Sequence, residues 1–101
     1  MAKKTENGTE RKVERTEEEK TKLIHRLNRI AGQIRGVKAM IENDAYCMDV
    51  LVQSTAASAA MNAFNAELIA EHTRGCVAKD VQAGNTDSLE ELLVMVKRLV
   101  M

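Results

Sequence analysis

Hydrophobic positions recur at helical spacing in three stretches of the chain. In the first, Leu23, Leu27, Ile30, Ile34, Val37 and Ile41 are spaced 4-3-4-3-4. At about 100° per residue these positions form one narrow apolar stripe. Thr16 followed by Glu19 has the spacing of a capping box and predicts the start of that helix. A second helix is predicted to open near an Asn43-Asp44 cap. Between Ala45 and Arg74 there is neither Gly nor Pro, so one helix is expected from about 45 to about 82. Gly75 softens it at most, and Gly84-Asn85 reads as its C-terminal punctuation. At about 1.5 Å per residue such a helix is longer than roughly 50 Å. A chain of 101 residues cannot wrap a rod of that length, so much of its apolar surface is expected to meet another chain. Ser88 and Glu91 have the spacing of a second capping box. They predict a short third helix from Leu89 to Val100, with Leu92, Leu93, Val96 and Leu99 or Val100 on its apolar face. No stretch alternates like a strand, and the expected fold is all-α in a single domain.

Composition sharpens this picture. There is no Pro or Trp, and the only aromatic residues are Tyr46 and Phe64, so the core must be aliphatic. Gly32 and Gly36 lie inside the first helix, where each costs about 1 kcal/mol relative to Ala. Close approach of another backbone would justify that cost. No apolar run reaches the roughly 18 residues of a membrane span, and the N-terminus has no apolar leader-like stretch. Two cysteines in such a chain fit reduced thiols in a cytoplasmic setting better than a disulfide scaffold.

Fifteen basic residues balance fifteen acidic ones, but the charge is segregated. Residues 1–15 lack periodicity and are expected to form a disordered charged tail ahead of a domain spanning 16–101. Lys20, Lys22, Arg26, Arg29, Arg35 and Lys38 fall in a stretch, 20–41, that contains no acid. A solvated helix face would explain this. So would an anionic partner such as nucleic acid.

Cys47, His72 and Cys76 all lie on the long second helix. His72 and Cys76 are spaced i, i+4 and can chelate together. Cys47 is about 37 Å away along the same rod, too far to join them within one chain. Its azimuth nevertheless falls within about 20° of either residue. Two copies crossing antiparallel near residue 60 would bring Cys47 of one to His72 and Cys76 of the other. The intervening face carries Ser54, Ser58, Met61 and Asn65, mostly small residues that allow close helix approach. Taken singly, each cysteine would more often be a small buried hydrophobe than a ligand. The shared direction of three soft donors makes the metal reading the stronger one. Two thiolates and one imidazole suit three-coordinate Cu(I), whereas Zn²⁺ would want a fourth ligand. His25 sits off the apolar stripe and reads as a surface residue. The scattered internal methionines read as core filler.

Three segments, RLNRIAGQIRG (Arg26 to Gly36), YCMDVLVQ (Tyr46 to Gln53) and EHTRGC (Glu71 to Cys76), together resemble the CsoR family of copper-sensing repressors. The resemblance runs from about Lys20 to the C-terminus. It implies an all-helical, disc-like tetramer built from antiparallel dimers, which binds operator DNA without metal and releases it when Cu(I) occupies inter-subunit Cys-His-Cys sites. Cys47, His72 and Cys76 match the family's ligand positions. Tyr46 and Glu91 match a tyrosine and a carboxylate that surround those ligands, although the spacing leaves Glu90 as a competitor for the acid. Lys22, Arg26, Arg29, Arg35 and Lys38 match its DNA-contacting surface. Related persulfide sensors lack the histidine, which makes His72 the discriminating residue; nickel/cobalt and formaldehyde types differ at Cys76. A persulfide-responsive repressor of the same fold and a copper-buffering protein without a DNA target are the rival readings. The acid-free basic stretch counts against the latter. No catalytic set, phosphate-cradling glycine loop or paired carboxylate pocket argues for an enzyme or for a small-molecule substrate.

Overall fold

A computed structural model describes residues 12–100, with side chains through Leu99. The expected disordered tail therefore lies mostly outside the described residues. Helix α1 spans Glu17–Glu42. Helix α2 spans Cys47–His72. It continues through a π-helical turn, Thr73–Val77, into α3, Ala78–Gln82. Helix α4 spans Asp87–Val100. The described residues contain no strand.

Local chemistry explains most of these boundaries. At the start of α1 the Glu19 backbone N–H donates to Thr16 Oγ1 at 3.1 Å, and the Thr16 N–H donates to Glu19 Oε1 at 2.8 Å. Two donors that the helix leaves without partners are satisfied reciprocally. Thr16→Ala should lower stability by about 1 kcal/mol. Denaturant midpoints measured at one fixed protein concentration would show it.

At the other end of α1, Asn43-Asp44 does not cap the second helix as expected. Asn43 instead caps the C-terminus of α1, its side-chain amide donating to the Ala39 carbonyl at 2.8 Å. Asp44 takes a left-handed conformation, φ 56°. Asn and Asp tolerate that region, which is why the pair can end a helix as readily as begin one. The N-cap of α2 is Tyr46, whose side chain makes no capping bond.

The long second helix exists, with all of its internal junction residues in right-handed helical conformation. Its interruption is a slip of the hydrogen-bond ladder to π spacing, not a break at Gly75. Gly84, φ 86°, ends α3, and the Asn85 N–H reaches back to the Asp80 carbonyl at 2.8 Å, the Schellman arrangement. Before α4, Asn85 Oδ1 accepts from the Asp87 N–H at 3.0 Å. Ser88 lies inside the first turn and is buried, its hydroxyl without a hydrogen-bond partner. It is therefore not the expected cap.

Helix α1 packs along α2, and α4 folds back onto the π turn and α3. Among the described residues the buried apolar side chains are Ile30, Ala57, Phe64 and Val77. Ile34 and Ile41 at the far end of the α1 stripe stay exposed, as do Met48, Leu51 and Val52 on α2 and Leu93, Val94, Met95 and Leu99 on α4. A particle 55 Å long with so thin a core leaves extended apolar faces open within the protomer. Neither Gly32 nor Gly36 has another backbone against it within the protomer. No helix of the described residues is long and apolar enough to cross a membrane.

Candidate metal centre and basic face

The three expected donors are carried by one nearly continuous helical rod. Cys47 is the first residue of α2 and is exposed. His72 is the last residue of α2, and Cys76 lies in the π turn that follows; both are half-buried. The π turn winds less per residue than an α turn, which keeps this i, i+4 pair on one side of the rod. Both residues line an open hollow of about 500 Å³. The segment Lys12 to Arg15 also lines it, and Arg15 Nε forms an ion pair with Glu71 Oε1 at 3.8 Å.

Among the described residues no three His, Cys, Asp or Glu side chains gather into a metal cluster within one chain. That agrees with the separation of Cys47 from the pair along the rod. A protomer therefore places His72 and Cys76 on one hollow and, at the far end of α2, an exposed Cys47 thiol. Two soft sulfurs and an imidazole nitrogen are a donor set that fits Cu(I), provided a second copy supplies the missing thiol. Tyr46, beside Cys47, is 70% exposed and so open to such a copy. Glu91 lies in the first turns of α4, and Glu90 precedes it; both are exposed.

The basic residues divide. Lys22, Arg26 and Arg29 line a second open hollow, of about 630 Å³, between the first half of α1 and the end of α2. His25 lines it too. Arg35 and Lys38 are exposed farther along α1 and do not line it. The sequence reading missed two kinds of contributor. Arg74 adds a cation to this hollow from the π turn, and Glu67 and Glu71 face the basic residues from α2. The only sequence signal for the acids was their own i, i+4 spacing on α2.

The chain is similar to proteins of known function. The profile of a family described as metal-sensitive transcriptional repressor matches residues 19–98. The copper-sensing transcriptional repressor CsoR of Bacillus subtilis (strain 168) is 40% identical over 85 residues, 83% of this chain and 84% of that protein. The copper-sensing transcriptional repressor RicR of Mycobacterium tuberculosis is 37% identical over 86 residues, 82% of this chain and 90% of that one. The Cu(I)-containing crystal structure of the copper-sensing repressor CsoR from Geobacillus thermodenitrificans superposes with a TM-score of 0.84 at 40% identity, covering 89% of this chain and 95% of that one. The nickel-responsive regulator InrS superposes with a TM-score of 0.67 at 31% identity, covering 86% and 96%.

Proposed function

Because the chain belongs to the family of metal-sensitive transcriptional repressors, we propose that it is a Cu(I)-responsive repressor that holds an operator when metal-free and lets it go when copper-loaded. It is a regulator and not an enzyme. The observation that carries the copper assignment is the split donor set. His72 and Cys76 share one hollow, and Cys47 waits at the opposite end of the same rod. An antiparallel pair of α2 rods would complete two equivalent sites. Bound there, Cu(I) supplies a soft, low-coordinate centre that two sulfurs and one imidazole nitrogen satisfy. In this reading Cys47 of one copy and Cys76 of the other hold the charge of the ion. His72 supplies a directional nitrogen, and its second ring nitrogen is left for Tyr46 or Glu91 to hold.

The exposed apolar residues of α1, α2 and α4 provide the faces on which copies associate, and the proposed assembly is a dimer of such dimers in a reducing cytoplasm. Lys22, Arg26 and Arg29, with Arg35 and Lys38 farther along α1, form the proposed DNA-binding face. A basic helix of this kind meets phosphates first and gains affinity by releasing counterions.

The test is a titration of Cu(I) into the metal-free protein on a DNA duplex selected in vitro against that protein. One Cu(I) per protomer should bind with two sulfur ligands and one nitrogen, and DNA affinity should fall. A sulfur-only site, or DNA held equally well with and without copper, would overturn the proposal. Arg26→Ala should weaken DNA binding and lower the slope of log affinity against log salt by about 1. Its Cu(I) affinity should stay near that of the parent. Unchanged DNA affinity at several salt concentrations would remove Arg26 from the DNA face.

A further inference from the structure

The two hollows are not separate. They share a wall made of Glu19, Glu71 and Arg74. One hollow holds His72 and Cys76; the other holds Lys22, Arg26 and Arg29. The two carboxylates of the shared wall differ. Glu19 is committed to the start of α1, where its Oε1 accepts from the Thr16 N–H at 2.8 Å. Glu71 is joined through one peptide bond to His72. On the side of His72 and Cys76 it forms an ion pair with Arg15, whose Nε lies 3.8 Å from Glu71 Oε1 without a hydrogen bond. Glu71 is thus held on that side by a partly exposed charge contact, which is weaker than a hydrogen-bonded pair.

From these placements we infer that Glu71 is a positioning residue that carries the state of the His72–Cys76 half-site to the basic face of α1. The inference rests on the proposed copper-responsive function and names the group through which it acts. Any orientation imposed on His72 turns the last residues of α2 and, with them, the Glu71 backbone. Its carboxylate then moves relative to Lys22, Arg26 and Arg29 across the second hollow. Moved toward them, it competes with DNA phosphate for the same cations; drawn back, it leaves them to the DNA. Opposite charges facing one hollow attract more strongly as they approach, so a turn of the rod has leverage on phosphate binding.

Glu67 provides an internal comparison. It sits one helical turn earlier and lines the basic hollow, but not the hollow of His72 and Cys76. Both acids should therefore depress DNA affinity, while Glu71 alone should respond to the metal half-site.

The experiment measures binding of the selected duplex by fluorescence anisotropy, with and without Cu(I), for the parent, Glu67→Gln, Glu71→Gln and Glu71→Asp. Cu(I) affinity is measured in parallel against a chromogenic chelator. Each glutamine variant should tighten metal-free DNA binding roughly two- to five-fold at low salt, as expected for one partly exposed ion-pair partner. Glu67→Gln should still release DNA on copper loading. Glu71→Gln should keep its Cu(I) affinity yet lose most of the copper-induced drop in DNA affinity, and Glu71→Asp, which keeps the charge, should recover most of that drop. If Glu71→Gln releases DNA as the parent does, or if Glu67→Gln loses release equally, the inference is wrong. A parent whose DNA affinity ignores copper would instead refute the proposed function itself.

Discussion

Protomers carrying Cys47→Ala, mixed with protomers carrying both His72→Ala and Cys76→Ala, should regain one Cu(I) site per mixed dimer, although neither variant alone binds Cu(I) tightly. The reason is the length of the rod. Cys47 opens α2, and His72 and Cys76 sit at and just past its far end. At about 1.5 Å per residue the separation is about 37 Å, and no side-chain rearrangement closes it within one chain. In the antiparallel arrangement each site takes its thiol from one copy and its His–Cys pair from the other. The mixed dimer then contains one site with all three donors intact and one with none. Either cysteine variant alone should lose Cu(I) affinity by several orders of magnitude, because a soft centre left with one thiolate must turn to harder donors. Co-expression with two affinity tags, isolation of the doubly tagged species and metal analysis would read the stoichiometry directly. No copper in the mixed species would mean that the site is not shared between copies in this way.

Glu91→Ala should still bind Cu(I) but release DNA poorly. Holding a metal and reporting it are separable, since a response requires the bound ion to favour one of two protein states. The proposed thiolates provide most of the holding. The imidazole of His72 has a second nitrogen, and a carboxylate on α4 that fixed it would tie the metal site to the helix folded back over the π turn. Coupling between sites usually amounts to 5- to 150-fold in affinity, so its loss here should be at least about ten-fold. His72→Ala should lose more coupling than Glu91→Ala loses Cu(I) affinity. The measurement is DNA affinity of metal-free and copper-loaded protein for parent, Glu91→Ala, Glu90→Ala and His72→Ala. Full coupling in Glu91→Ala combined with its loss in Glu90→Ala would transfer the role by one residue.

Much of the fold is legible in the sequence. The capping box of α1 could be read because both halves of the signal, Thr16 and Glu19, lie within four residues and bond only to each other's backbone. The placement of Cys47 and of His72 and Cys76 at opposite ends of one rod is readable from helix length alone. Asn43-Asp44 was misassigned because short polar side chains serve both as N-caps and as left-handed helix ends, and only the observed φ of 56° at Asp44 decides between them. Ser88 was misassigned because Asn85, three residues earlier, makes the turn into α4. The π turn has no residue signature, being a slip in which carbonyl each amide chooses. The shared wall was invisible for a different reason. Arg15 belongs to a stretch without periodicity, and what brings Glu19, Glu71 and Arg74 together is the packing of two helix ends.

The thin core has a consequence for the life of the regulator. Burial of Ile30, Ala57, Phe64 and Val77 is little to hold a chain whose other helix faces remain open. If copies associate through these faces as proposed, folding and assembly merge into one equilibrium, and the stability of each protomer depends on how many others are present. Newly made chains at low copy number are the ones a protease meets before they find partners. On the proposed assembly, a protein made in too few copies would be lost before it assembled, and its abundance would set a threshold ahead of any response to copper.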